Sequence, residues 1–254
     1  MTTATRSVLA VLTAVVVAVS LGSCASGPPA AADGTHGPVG THGPVGTHST
    51  AGTRSTAEPT RPWDDAAGVD VVVVGDSITA GHGLTTAEAW PALVADAQGW
   101  SLTNLSCDGA GVAALGDDDD CASDYATIVK RAIGLRPEVV VVQASSNDLG
   151  LDTALVRSAT DQVVDEVHRR LPHARLIGLS AIWNEDAPPA QLASISGALR
   201  HALAREGGTY VDIGEPLRGH PTWMQSDDVH PTARGQRAIA AAVTAAFERD
   251  HVRF

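Results

Sequence analysis

The stretch VDVVVVGDSI, residues 69–78, ends a continuous apolar run with Gly-Asp-Ser. A run of valines this long is typical of a parallel strand that is buried on both faces. Gly75 permits a sharp exit from the strand, and open parallel sheets place their sites at the carboxyl edge of the strands. The sequence therefore predicts that Ser77 lies on a turn at that edge.

Val-rich runs alternate with helical patterns from this stretch to the C-terminus. Strands are predicted at 69–74, 102–106, 138–142, 174–180 and 209–213, and helices near 86–97, 122–134, 152–170, 188–205 and 232–248. This alternation predicts an α/β fold, a three-layer α/β/α sandwich with a parallel sheet of about five strands, as in flavodoxin-like folds. The ~185 residues involved are enough for one domain, which we place at 66–254.

The first quarter of the chain has a different composition. Residues 1–23 carry one cation and then an apolar run too short to span a bilayer, which is typical of a secretory signal peptide. Leu21-Gly22-Ser23-Cys24 resembles the lipobox of bacterial lipoproteins and implies lipidation at Cys24, with plain cleaved secretion or an uncleaved anchor as alternatives. Residues 24–65 contain a Gly/Thr/His/Pro repeat, for which we expect a disordered tether. The predicted location is extracytoplasmic and bacterial, with the membrane reached only through the N-terminal lipid anchor.

The composition excludes several classes of partner. A formal net charge of −12 at pH 7 opposes binding to nucleic acid and to anionic headgroups. His36, His42 and His48 in the repeat are widely spaced, and the acidic run 117–120 lacks EF-hand spacing, so both are weak candidates for metal binding. We therefore predict no metal and no nucleic-acid partner. We also expect a monomer that requires no organic cofactor.

A carboxylate and an imidazole stand three residues apart near the other end of the chain, in Asp227-Asp228-Val229-His230-Pro231. A serine hydroxyl is a poor nucleophile until a base removes its proton, and the base must be held in one tautomer by a third group. Ser77, His230 and Asp227 supply these three residue types. The same string could be only a helix start, with Pro231 at the first helical position, and both interpretations can hold together.

Four ordered blocks over about residues 68–250 resemble the SGNH (GDSL) hydrolases. They are Gly75-Asp76-Ser77, Asn104-Leu105-Ser106-Cys107-Asp108-Gly109, Ser145-Ser146-Asn147-Asp148 and Asp227-x-x-His230. The resemblance implies a serine ester hydrolase in which Ser77 is the nucleophile, His230 the base and Asp227 its partner. Its substrates would be short acyl or acetyl esters, with carbohydrate esters among the candidates. An acyltransferase using the same residues, or a catalytically weak tethered binding lipoprotein, are the alternatives.

The resemblance also implies an oxyanion hole. Its donors would be the N–H of Ser77, the N–H of Gly109 and the side-chain amide of Asn147. Loss of one such donor typically costs ~10²–10³ in turnover. Ser145 departs from the family, which usually has glycine at that position, and we expect its side chain to narrow the acyl side of the site.

For several other polar or aromatic residues the sequence favours a structural role over a catalytic one. His220-Pro221-Thr222 repeats the His-Pro-Thr string, but Leu217 stands where a carboxylate would be needed, so His220 is predicted to be a loop residue. Ser180 is predicted to end a strand, and Trp183 to be a loop residue, with a sugar or acyl site as the alternative. Asn147-Asp148 could instead only cap the helix predicted from about Asp152.

Cys107 and Cys121 remain once Cys24 is assigned to the lipid. In an exported protein two cysteines at this spacing are expected to form a disulfide, and closing such a loop is worth ~3 kcal/mol in the chain-entropy model. The bond would brace the loop that carries Gly109. Two free buried thiols are the alternative.

Overall fold

The computed structural model describes residues 68–117, 121–252 and 254. The predicted signal segment, the lipidation site at Cys24 and the repeat linker lie outside the described residues, as do residues 118–120 of the acidic run. Within the described part, no helix has the length and apolarity needed to cross a membrane.

The predicted fold class is confirmed by a sheet of five parallel strands in the order β2-β1-β3-β4-β5. Its strands are β1 (Asp70–Val74), β2 (Ser101–Asn104), β3 (Val139–Gln143), β4 (Arg175–Leu179) and β5 (Thr209–Val211). Val72 of β1 pairs with Thr103 on one side and with Val140 on the other. The Val-rich stretch that opens the domain is therefore an internal strand.

Helices connect these strands, and a last helix follows β5. They are α1 (Ser77–Ala80), α2 (Trp90–Gln98), α3 (Tyr125–Leu135), α4 (Thr153–Arg170), α5 (Ala190–Arg205) and α6 (Ala233–Arg249), with single 3₁₀ turns at Thr86–Glu88, Ser146–Asp148 and Pro221–Trp223.

Some predicted helix starts are wrong by a few residues, and the helix expected from about 122 begins at Tyr125. The helix expected from about 86 begins at Trp90, because Ala89 has an extended backbone that separates it from the preceding 3₁₀ turn. Pro231 is not the first residue of α6, since Thr232 caps that helix.

The core lies on both faces of the sheet. Val72 and Val74 of β1 pack in the cluster that includes α3, α4 and α5, whereas Val71 and Val73 pack in the cluster that includes α2 and α6. Burying each such side chain is worth about 1.5–3 kcal/mol relative to leaving it exposed. This two-sided burial explains why residues 71–74 of β1 are all apolar and why the fold has three layers.

The strand order creates a crevice at one point of the sheet. Connections leave β1 and β3 on opposite sides, and ligands of such doubly wound sheets bind outside the carboxyl ends of strands at this reversal. Ser77 follows β1, and the turn Ser146–Asp148 follows β3. The first and third blocks therefore meet at the crevice.

Candidate active site

Ser77 is the first residue of the short helix α1 and is 7% exposed. Asp76 caps this helix, with its carboxylate accepting from the N–H of Ile78 at 3.1 Å and of Thr79 at 3.4 Å. A Cβ placed on Gly75 would lie 2.5 Å from the Thr79 side chain, so glycine is required by this close approach. The predicted turn is thus a tightly packed helix start.

His230 connects Ser77 to Asp227. Its Nε2 lies 2.9 Å from the Ser77 Oγ, and its Nδ1 lies 2.8 Å from Oδ2 of Asp227. The other carboxylate oxygen of Asp227 accepts from the N–H groups of His230 and Val229. These hydrogen bonds, first the one from the His230 N–H, hold the pKa of Asp227 well below its usual range. An ionised carboxylate therefore faces one imidazole nitrogen while the serine hydroxyl faces the other.

A tight turn gives Asp227 its position. The N–H of Gln225 donates to the His230 carbonyl at 2.7 Å, and the N–H of Asp228 donates to the Gln225 carbonyl at 3.2 Å. Asp228 has φ +56°, in the left-handed region that aspartate tolerates better than most residues. The turn reverses the chain between Asp227 and His230, which lets the carboxylate bond both the ring and the backbone of His230.

The repeated His-Pro-Thr string and the second serine candidate have other contacts. The His220 ring stacks on Trp223, with ring centroids 3.6 Å apart and planes inclined by 11°. Ser180 follows β4, and its Oγ accepts from the N–H of Ile213 at 3.0 Å. Both residues are thus explained by local structure.

The loop after β4 touches the turn that carries Asp227. The side chain of Asn184 donates to the Asp228 carbonyl at 3.1 Å. Its neighbour Trp183 lines a cavity of about 420 Å³, together with Tyr210 and Arg200, and the Ser77–His230–Asp227 row does not line that cavity.

Gly109 adopts φ +73° in the loop that carries the second block. In this loop the N–H of Ala110 donates to the Cys107 carbonyl, and the N–H of Asp117 donates to the Asp108 carbonyl. A Cβ at Gly109 would lie 2.7 Å from a carboxylate oxygen of Asp117. Both the backbone conformation and the available space therefore select glycine.

Asn147 is tied to the same loop. Its side-chain amide donates one hydrogen bond to the Ala110 carbonyl at 3.0 Å, which leaves the second amide hydrogen for another acceptor. The N–H of Ser77, at the first position of α1, has no acceptor within its own helix. Each of the three donors predicted for the oxyanion hole can therefore supply a hydrogen.

Ser145 does not narrow the acyl side of the site, so that prediction is wrong. Its side chain is fully buried and its Oγ lies 2.8 Å from Oδ2 of Asp76 and 2.9 Å from the Ala110 carbonyl oxygen. The same oxygen accepts from the N–H of Asn147 at 3.0 Å. The hydroxyl lies inside the protein, where it connects the ends of β1 and β3 to the loop of the second block.

Asp76 is a buried carboxyl group beside the nucleophile. Burial raises the pKa of Asp76 to about 6, against the lowering effect of hydrogen bonds from Ser145 and from the N–H groups of Thr79 and Ile78. Close to neutral pH, ionisation of this side chain therefore lowers the stability of the folded protein.

Asp148 has a role that sequence reasoning missed. Its buried carboxylate accepts from the N–H groups of residues 112–114 at 2.9–3.0 Å. It does not cap α4, whose cap is Asp152, with hydrogen bonds from Ala154 and Leu155. The partners of Asp148 are backbone groups 34–36 residues away, so no pattern in the sequence could have pointed to them.

The loop of the second block is closed by a disulfide. Cys107 and Cys121 are bonded, with their Cα atoms 6.1 Å apart, as predicted. The bond and the Asp148 carboxylate together restrain the segment that carries Gly109.

A protein-family model matches the part of the chain that contains the four blocks. A model of the GDSL-like lipase/acylhydrolase family matches residues 73–238, a range that is more than half of the chain and includes all five residues predicted for the triad and the oxyanion hole. The chain belongs to this family. The resemblance to the SGNH hydrolases is thereby confirmed, and the protein is an SGNH-type esterase.

Solved structures share the fold of this esterase at low identity. An inhibited form of the psychrotrophic esterase EstA from Pseudoalteromonas sp. is 15% identical, with a TM-score of 0.59 over 73% of this chain and 100% of its own. A family two carbohydrate esterase from Clostridium thermocellum, in complex with cellohexaose, is 17% identical (TM-score 0.58, covering 72% and 65%). The salicylyl-acyltransferase SsfX3 of a tetracycline biosynthetic pathway is 20% identical (TM-score 0.58, covering 74% and 56%). A comparison with curated protein sequences gives no match.

The surroundings of the esterase site are acidic. Residues 79–88, 105–124 and 145–152 contain no lysine or arginine, and the second of these segments includes six aspartates, at positions 108, 117–120 and 124. Among the described residues, no group of three or more His, Cys, Asp or Glu side chains is arranged to hold a metal ion. The negative electrostatic potential of these aspartates disfavours the binding of anionic substrates near the site.

Proposed function

We propose that this esterase is an extracytoplasmic serine hydrolase of short acyl or acetyl esters, with Ser77 as its nucleophile. The observation that carries the proposal is the continuous row of hydrogen bonds from the Ser77 Oγ through His230 to Asp227. A nucleophile, a base and an orienting carboxylate in hydrogen-bond contact are the arrangement that covalent acyl transfer requires.

In the acylation step, the Ser77 Oγ attacks the ester carbonyl carbon while Nε2 of His230 accepts the hydroxyl proton. The Asp227 carboxylate, bonded to Nδ1, fixes the imidazole tautomer and stabilises the imidazolium that forms. The imidazolium then protonates the leaving alcohol as the C–O bond breaks. Water, deprotonated by the same imidazole, attacks the acyl-serine and releases the acid.

The negative charge on the tetrahedral oxygen would be stabilised by the N–H of Ser77, the N–H of Gly109 and the Asn147 amide. The hydrogen bond from Asn147 to Ala110 supports this assignment, because it holds the amide beside the Gly109 loop before substrate arrives. Donors that are already oriented lose little energy to reorganisation during the reaction.

The alcohol part of the substrate is proposed to be uncharged, with a sugar hydroxyl as the leading candidate. The acidic site loops support this, and so do carbohydrate esterases among the structures of similar fold. Leu115 and Val229, which are 64% and 52% exposed, lie on the loops of Gly109 and His230, and we propose that they contact a short acyl chain.

The test is hydrolysis of p-nitrophenyl esters of increasing acyl length against acetylated sugars. The wild-type protein should cleave short acyl esters, and Ser77→Ala should abolish turnover and labelling by a fluorophosphonate probe. Ser180→Ala, which removes a serine that accepts a backbone hydrogen bond, is the matched control and should be labelled like the wild type. Full activity of Ser77→Ala would refute the assignment, and failure of the wild type to label would favour a tethered binding protein without useful turnover.

Acyl transfer to an alcohol is a second candidate, because an acyltransferase is among the structures of similar fold. It uses the same residues, with an acceptor hydroxyl in place of water. Product analysis with an added alcohol would separate the two: a transferred ester as the main product would indicate a transferase, and free acid a hydrolase.

The cellular location is proposed from the N-terminal sequence. Lipidation of Cys24 would attach the enzyme to the outer face of the cell membrane through the repeat linker. Cys24→Ala should release it into the medium, whereas unchanged membrane association would contradict a lipid anchor. The enzyme is expected to be a monomer, which light scattering of the purified protein would test.

A further inference from the structure

A second imidazole–carboxylate pair lies directly beside the proposed triad. Nδ1 of His82 contacts Oδ2 of Asp108, and the His82 ring stacks on the His230 ring with centroids 4.1 Å apart and planes inclined by 27°. The His82 side chain is 43% exposed, whereas that of Asp108 is 14% exposed. The proposed function assigns no role to either residue.

The position of His82 is held by its backbone as well as by its ring. Its N–H donates to the Ser77 carbonyl at 3.0 Å, so it directly follows the helix that carries the nucleophile. Its carbonyl accepts from the side chain of Gln225 at 2.8 Å, and the same side chain donates to the Pro231 carbonyl at 3.0 Å. His82 is therefore tied to the turn that carries His230.

Asp108 extends this connection to the second block. It immediately precedes Gly109, and its carbonyl accepts from the N–H of Asp117 at 2.9 Å. The pair thus joins three segments that must keep their relative positions during catalysis: the end of α1, the loop of Gly109 and the turn of His230.

The existing hydrogen bonds leave one motion of His230 poorly restrained. His230 is held through its two ring nitrogens, Nδ1 by Asp227 and Nε2 by Ser77, and the Asp227 side chain is 43% exposed. Hydrogen bonds at the ring nitrogens resist tilting of the ring only weakly, whereas a second ring packed against its face opposes tilting directly. A displacement of about 1 Å in a catalytic group can cost ~10² in rate.

We propose that His82 is a positioning residue, which packs against one face of the His230 imidazole and is itself held in place by Asp108. This role rests on the proposed function, because it requires His230 to be the base. The His82 ring stacks on the His230 ring, so its effect on the reaction passes through His230.

Three substitutions separate stacking from hydrogen bonding. His82→Ala removes both, His82→Phe keeps a ring but loses the contact with Asp108, and His82→Gln keeps a polar group for Asp108 but has no ring. For a short p-nitrophenyl ester we expect kcat to fall ~10- to 100-fold in His82→Ala and His82→Gln, with KM changed less than about twofold. His82→Phe should recover most of the lost kcat.

The second readout is the rate of inactivation by a fluorophosphonate, which depends on activation of the serine and not on recognition of the substrate alcohol. It should fall in parallel with kcat. His220→Ala is the matched control, because it deletes another exposed histidine that stacks on an aromatic ring, and it should leave both rates unchanged. Thermal unfolding of each variant shows whether it is folded at the assay temperature.

Several results would overturn the proposal. A normal kcat and inactivation rate in folded His82→Gln would do so, even if His82→Ala failed to fold. So would a change confined to KM, which would indicate contact with substrate, or a folded His82→Phe as impaired as His82→Gln. Failure of the proposed function itself is recognised separately, since Ser77→Ala would then keep its activity.

Discussion

Ser145→Ala removes a hydroxyl from the polar cluster under the proposed site. The Ser145 Oγ lies within 2.8–3.0 Å of the Asp76 carboxylate, the Ala110 carbonyl and the Asn147 N–H. A hydrogen bond to a charged group contributes ~1.5–3 kcal/mol, and the partners of a deleted buried group are left without compensation. We therefore expect the free energy of unfolding to fall by ~2–3 kcal/mol at pH 7.5, which corresponds to a decrease in Tm of roughly 5–10 °C.

This loss should depend on pH. The pKa of Asp76 is raised from 3.8 to about 6 in the folded protein, so its carboxyl contributes stability below about pH 4 that is lost as the pH rises through 6. The Ser145 hydroxyl lowers that pKa, and removing it should raise the pKa further. The destabilisation by Ser145→Ala should therefore shrink to ~1 kcal/mol at pH 4.5, where Asp76 is mostly protonated and the lost bond is neutral.

The assay is urea unfolding at pH 4.5 and 7.5, together with kcat/KM for esters of increasing acyl length. Ser146→Ala, a change at the neighbouring, partly exposed serine, is the control for stability. Asp76→Asn mimics the protonated acid and should flatten the dependence of unfolding free energy on pH between 4 and 7. The reasoning would be refuted if Ser145→Gly or Ser145→Ala kept full stability and gained activity only toward longer acyl chains.

Three further outcomes are expected. His230→Ala should lower kcat/KM by a factor of ~10⁴ or more, because the members of a triad act as a unit. His220→Ala should change kcat/KM by no more than about twofold. The reverse ranking would show that His220, and not His230, is the base. Replacing both Cys107 and Cys121 with serine should lower the unfolding free energy by ~3 kcal/mol, and two alkylated thiols in the unreduced wild type would contradict the disulfide. Asp148→Asn places an amide against three N–H donors, so it should reduce kcat more than KM, and a variant with normal kcat would show that the loop of residues 112–114 does not need the carboxylate.

Much of the candidate site could be predicted because its residues lie in short local strings. The valines of β1 predict a strand buried on both faces, and the order of strands and helices predicts the parallel sheet. Asp227 and His230 are three residues apart, so the turn that joins them is local, and the same holds for the Gly-Asp-Ser of the helix start. Local contacts of this kind leave a pattern in the sequence.

The sequence by itself determined the fold class, the serine, histidine and aspartate of the row, and the pairing of Cys107 with Cys121. Only the tertiary structure decided which way the side chains of Ser145 and His82 point, since their partners come from other segments of the chain. A side chain that lines the site and a side chain buried under it can therefore look the same in the sequence. The physical reason is that the partners of these side chains come from strands and loops that are far apart in the chain and pack together only at the edge of the sheet. A local sequence pattern does not determine such long-range contacts.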